Sequence, residues 1–335
     1  MYLLKYNDLK IGDIILLRSD SNKSKLIRKF SDSEYSHAMI YVGSSLIDAD
    51  AAGVHSHNPQ RVLFDKEDDA IVLRHTTASS RDLRNVEQFL RSKIGTAYSM
   101  EEARKVVQTS EKIAEGNRQF CTRLIGQAYF YAGVDILKNR DFCSPKDIEE
   151  SNVLNRVHNI AYAANEKEIE FAQSESPLDI QEQSTNQFIA KVRQLTGQDI
   201  QTFEQINALL ISEPHFDKEI VEILETSNYL TLWKIEFEKN PWYYDYEKFK
   251  KKHSKNQSES AARIMVITFK DLYQRFTPME NYYQENFKKT GLVFFKKLFE
   301  LYTKLNELNN LRLTVAMDAM IDAGLSENEI MEIAQ

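Results

Sequence analysis

The feature that most constrains this chain is a change of rhythm near residue 151. Before it, apolar residues come in short runs at residues 14–18, 38–42, 46–48, 61–64 and 70–74, rich in Ile, Val and Leu and bounded by Gly, Asp or Ser. Beyond it they recur at intervals of three and four, as in Phe188, Val192 and Leu195, and again in Leu292, Phe295, Leu298, Leu301, Leu305 and Leu308. The first pattern predicts strands joined by tight turns, and seven of the ten glycines fall within the first 133 residues, where such turns need them. Helical spacing at residues 24–30, 80–94, 100–114 and 122–131 is interleaved with those strands. The predicted architecture is α+β. A small antiparallel sheet packs on helices in residues 1–150, and an all-α accessory domain follows over residues 151–335, broken at residues 174–177, Gly197, Pro214, Pro241, residues 254–260 and Pro278.

Composition narrows the function classes. With 335 residues, 42% of them hydrophobic and 28% charged, the chain can bury a sizeable core and falls outside disordered or collagen-like compositions. Two cysteines, Cys121 and Cys143, make neither a disulfide framework nor a zinc cage, so reduced thiols in a cytoplasmic setting are expected. The N-terminal segment has no long apolar run, and the longest apolar stretches, 14–17 and 292–295, are far below the roughly 20 residues of a membrane-spanning helix, so no integral membrane segment is expected. Residues 1–165 carry 23 basic and 22 acidic side chains and the remainder 20 and 28, which argues against nucleic-acid binding by the second half. Lys250, Lys251, Lys252 and His253 read as a solvated helix end or loop, with nucleic-acid binding as the lesser alternative. The aromatic group Trp242, Tyr243, Tyr244, Tyr246 and Phe249 reads as packing, with a protein partner for the helical half as the alternative.

Three residues carry the strongest chemical signal. Cys121 falls in the first turn of a helix, where unpaired amides and the helix dipole stabilise a thiolate; the competing reading is a buried, inert cysteine. His37 opens a strand, and a turn at residues 43–45 folds the next strand back so that Asp48 faces it. A nucleophile, a base and a carboxylate that orients the base are the parts of a catalytic triad, with Asp50 as the alternative orienter. His55 and His57 share one strand face as a metal pair does. No third ligand is evident beside them, so they are expected to be exposed loop histidines, and no metal or organic cofactor is expected. Cys143 has no base near it in sequence and reads as structural.

These segments resemble a known superfamily. Gly12-Asp13-Ile14-Ile15, Ser36-His37 through Tyr41-Val42-Gly43, Leu46-Ile47-Asp48-Ala49, Gly95-Thr96-Ala97-Tyr98 and Phe120-Cys121-Thr122-Arg123-Leu124 are similar to the motifs of the NlpC-type papain-like cysteine peptidases. The histidine precedes the cysteine, as in the circularly permuted branch of YiiX-like and YaeF-like amidases and lecithin:retinol acyltransferase relatives. Cys143-Ser144-Pro145-Lys146-Asp147 resembles a further segment of YiiX-like proteins. The resemblance covers about residues 10–150. It implies Cys121 as nucleophile, His37 as general base, Asp48 as the third polar residue, and Tyr98 as a substrate-facing or oxyanion-side position. Asp48 stands where Glu is common, and Arg123 where an acidic residue often follows the cysteine. The implied function is thiol-dependent hydrolysis of an amide, ester or thioester in a small peptide-like or acylated substrate through an acyl-enzyme. Lipid or amine acyl transfer is the nearest alternative, and a catalytically silent scaffold that binds a partner through its helical domain is another.

Overall fold

The computed structural model describes residues 1–19, 24–25, 28–29, 32–99 and 118–334. The helix predicted at residues 100–114 lies outside the described residues, as does part of that at residues 24–30. Two compact units result, Met1–Ile206 and Asn207–Gln335.

In the first unit, β1 (Tyr2–Leu4), β2 (Ile14–Leu17), β3 (His37–Tyr41), β4 (Leu46–Asp50), β5 (Gly53–His57), β6 (Ala70–His75), β7 (Leu154–Val157) and β8 (Ala161–Ala163) form two sheets. Six strands run in the order β5-β4-β3-β2-β6-β7, every neighbouring pair antiparallel, while β1 pairs with β8. The run at residues 61–64 is not a strand. Pro59–Arg61 turns as a 3-10 helix instead, with proline setting φ, and Phe64 makes only a bridge to Tyr2. The region after residue 151 is also not wholly helical, because β7 and β8 lie there. Both strands are short, and β7 buries only Leu154, so neither shows an apolar alternation; their order comes from pairing with β6 and β1.

Among the described residues, the helices of this unit include α1 (Ser80–Ser92), α2 (Cys121–Tyr131), α3 (Pro145–Glu149), α4 (Glu166–Gln173) and α5 (Pro177–Thr196). Strand alternation sends Ile14, Leu16, Ile40, Ile47, Val54, Ile71 and Leu73 into a core with Val86 and Leu90 of α1 and Leu124, Ile125 and Ala128 of α2. The opposite face contributes Ile15, Met39, Tyr41, Leu46 and Val72 to a second cluster with Leu4 and Phe64.

Gly12 and Asp13 serve this packing. Gly12 has φ of +90°, and a Cβ there would stand 2.5 Å from Leu83 Cδ2. Its carbonyl accepts the Tyr129 hydroxyl at 2.5 Å. Asp13 is fully buried and accepts from Arg74 Nε and Nη2, both at 2.6 Å, and from the Lys10 amide at 2.8 Å. At the end of β6, burial holds the His75 imidazole below the ordinary histidine value, and its Nδ1 accepts the amides of Ala78 at 2.9 Å and Thr77 at 3.3 Å. A folded-state pKa below the unfolded one means that His75 favours folding above the unfolded value and loses that contribution as pH falls through the folded one. An NMR titration is therefore expected to find His75 ionising below about 6.5. A titration at or above that value contradicts this account.

In the second unit the long helices Lys255–Thr290 and Val293–Asp322 pack against each other across a left-handed cap at Gly291. The predicted stripe buries Phe295, Leu298, Leu301 and Leu308. Pro278, expected as a break, lies inside the first of these helices, and residues 255–260 form its opening turns after a Ser254 cap. Trp242, Tyr243 and Tyr246 pack around buried Phe249 against Phe269 and Ala316. Lys250, Lys251 and Lys252 fill the last turn of Tyr246–Lys252, where cations complement the helix dipole, and Lys250 pairs with Glu247 at 2.6 Å. Among the described residues no helix is long and apolar enough to cross a membrane.

Candidate functional site

Cys121 is the first residue of α2, entered from an extended Phe120 with no capping side chain, so the first-turn amides are not taken up by a cap. Burial of Leu124, Ile125 and Ala128 anchors the helix and leaves the Cys121 side chain almost entirely covered. Immediately upstream, Gln119 pairs with the Tyr98 segment: the Ser99 amide donates to the Gln119 carbonyl at 2.8 Å and the Gln119 amide to the Ala97 carbonyl at 3.0 Å. That pairing brings half-buried Tyr98 beside Cys121. Burial, followed by the charges of Cys121 and Asp50, pushes the Tyr98 phenol up.

The β3–β4 hairpin closes with the Val42 amide on the Ser45 carbonyl at 2.9 Å, Gly43 taking φ of +85°. At its open end His37 Nε2 donates to Asp48 Oδ2. Burial by itself lowers the His37 pKa, but the charge and hydrogen bond of Asp48, joined by the Cys121 side chain next to the ring, hold it well above the ordinary value. Burial likewise acts to raise Asp48, yet the His37 charge and the bonds from His37, His55 and His57 keep this carboxyl well below the usual range. The structure thus gathers Cys121, His37, Asp48 and Tyr98 in one place. Asp50 is half-exposed and approaches His55 Nε2, at 3.5 Å, rather than taking the place beside His37.

The largest correction concerns His55 and His57. They are not exposed loop residues: both lie on β5, and His55 is only 5% exposed. The register of β4 with β5 sets Asp48 opposite His55 and Leu46 opposite His57, so Asp48 and both histidines share a face. Asp48 Oδ1 is 3.2 Å from His55 Nε2 and 2.9 Å from His57 Nε2, and the two imidazole nitrogens are 3.1 Å apart. His55 Nδ1 donates to Glu182 Oε2 on α5. Burial opposes charging of His55, but the bond and charge of Asp48, with Asp50 and Glu182, raise it to about 9. The period-two placement of residues 55 and 57 against 48 was a usable signal for this cluster; nothing in sequence pointed to Glu182.

The remaining motif residues are structural. Cys143 is buried and burial pushes its thiol up. Ser144, Pro145 and Asp147 form a capping box with proline in the first turn of α3. Arg123 is turned inward: its Nε donates to the Asp141 carbonyl at 2.8 Å and its guanidinium lies 4.5 Å from the Phe120 ring and 4.9 Å from that of Phe142.

No protein-family model and no curated sequence matches the chain. Among solved structures it is similar to the crystal structure of metalloprotein yiiX from Escherichia coli O157:H7, with a TM-score of 0.36 and 19% identity over 44% of this chain and 96% of that one.

Proposed function

We propose that residues 1–150 act as a thiol-dependent acyl-transfer enzyme of the circularly permuted papain-like kind, with the helical residues as an accessory domain. Cys121 is the nucleophile, His37 its proton partner, Asp48 the carboxylate that orients and charges the imidazole, and Tyr98 a substrate-facing wall. The observation that carries this reading is the position of His37, bonded through Nε2 to a buried carboxylate and standing beside a cysteine at a helix N-terminus. Charged His37 stabilises the Cys121 thiolate, which attacks an amide, ester or thioester carbonyl; the imidazolium returns its proton to the leaving group, and water releases the acyl chain. The Cys121 amide supplies one donor to the developing oxyanion. An acceptor amine or alcohol in place of water makes the same intermediate a transferase intermediate.

The test needs no substrate. Iodoacetamide alkylation, located by peptide mass spectrometry, is expected to be fast at Cys121 near neutral pH, slow at buried Cys143, and slowed at Cys121 by His37→Ala and Asp48→Asn. Equal rates at Cys121 in all three proteins would sink the proposal.

A further inference from the structure

We infer that Asp48 Oδ1, His55 Nε2 and His57 Nε2 form a binding site for a divalent transition-metal ion of the zinc class. The three atoms make a triangle with edges of 2.9, 3.1 and 3.2 Å. A tetrahedral ion with bonds of about 2.0–2.2 Å spaces its ligands by roughly 3.3–3.6 Å, so the triangle is smaller than one face of such a shell by a few tenths of an ångström and would open by that amount around the ion.

Hydrogen bonding alone serves this arrangement poorly. Protons on both Nε2 atoms are driven together across the 3.1 Å gap while competing for the same carboxylate oxygen, and with only one proton present a single N–H is shared between oxygen and nitrogen. A cation lets all three atoms offer lone pairs to one point. The surroundings suit it. Glu182 accepts the Nδ1 proton of His55, so the ring that remains when an ion displaces the Nε2 proton is the ligating tautomer, held by the carboxylate partner that metal-bound histidines commonly have. Asp48 and His55 are buried, whereas the His57 side chain keeps 29% of its surface exposed, which leaves one side open for a water or a further ligand. Two nitrogens and one carboxylate oxygen select zinc-like ions over calcium or magnesium.

The site uses only Oδ1 of Asp48. Oδ2 keeps its bond to His37, so the metal site does not depend on whether Cys121 is a working nucleophile. The test is titration of the chelator-treated, tag-free full chain with Co²⁺ and Zn²⁺, followed by visible absorption and calorimetry. One equivalent of Co²⁺ with a tetrahedral spectrum, displaced by Zn²⁺, is expected. His57→Ala is expected to abolish the spectrum, and Glu182→Gln, which keeps all three ligands, to weaken binding about 10–100-fold. Cys121→Ser is expected to leave both spectrum and affinity unchanged. Circular dichroism checks that each variant is folded, and Glu182→Gln carries the test if His57→Ala is not. Wild-type protein that binds no more Co²⁺ than folded His57→Ala, or affinity indifferent to Glu182→Gln, overturns the site. Loss of the spectrum in Cys121→Ser overturns the ligand set. Cysteine alkylation and metal binding are read separately, so either assignment can fail while the other stands.

Discussion

Replacing His37 by alanine is expected to slow acylation of Cys121 by an activated ester about 10²–10⁴-fold, the usual contribution of a positioned proton-transfer group. The ring holds two relations at once, the bond to Asp48 and the proximity to Cys121, and alanine removes both. Asp48→Asn tests a different part. It keeps an oxygen for His37 but removes the negative charge that holds the imidazole in its charged form, so a smaller loss than that of His37→Ala is expected. A p-nitrophenyl ester followed by stopped flow measures the acylation step without the natural substrate, with Cys121→Ser as the blank. Acylation at the blank rate in wild type, or at the wild-type rate in His37→Ala, contradicts the proposed roles.

Asp13→Ala is expected to cost about 1–3 kcal/mol of stability, because it leaves the half-buried Arg74 guanidinium without its bidentate partner and the Lys10 amide without its acceptor. The carboxylate joins β2 to β6 from within and also fixes the Lys10 turn beside Gly12, so its removal acts on two strands and a loop together. Urea unfolding followed by circular dichroism measures the loss. Arg74→Met is expected to restore part of it in the double variant, since the unpaired charge is then gone. A loss below about 1 kcal/mol, the level of an exposed ion pair, shows that solvent screens the pair.

How much was legible in the sequence differs from element to element. Strands β2 and β6 were readable because they are buried and carry Ile, Val and Leu in unbroken runs, and β3 and β4 because their apolar residues flank a turn at Gly43. Strand β5 was not, since Val54 is the one residue it gives to the core and its other face bears His55 and His57. Strands β7 and β8 escaped for a related reason: they are short and mostly exposed, and register with β6 and β1 decides them rather than their own side chains. Pro278 misled because packing between two long helices outweighs one missing amide bond.

The sequence by itself determined the α+β class and the helical character of the second half. Through the order of its motifs, it also marked Cys121, His37, Asp48 and Tyr98 as candidate site residues. Those are local properties, set by periodicity, caps and turns. Only the tertiary structure decided that Asp48 is shared: its Oδ2 serves His37 while its Oδ1 meets His55 and His57, with Glu182 behind them from a helix more than a hundred residues away. No local rule specifies which side chains meet across a strand pair and a helix laid over it, because register and docking are set by the burial of the whole sheet.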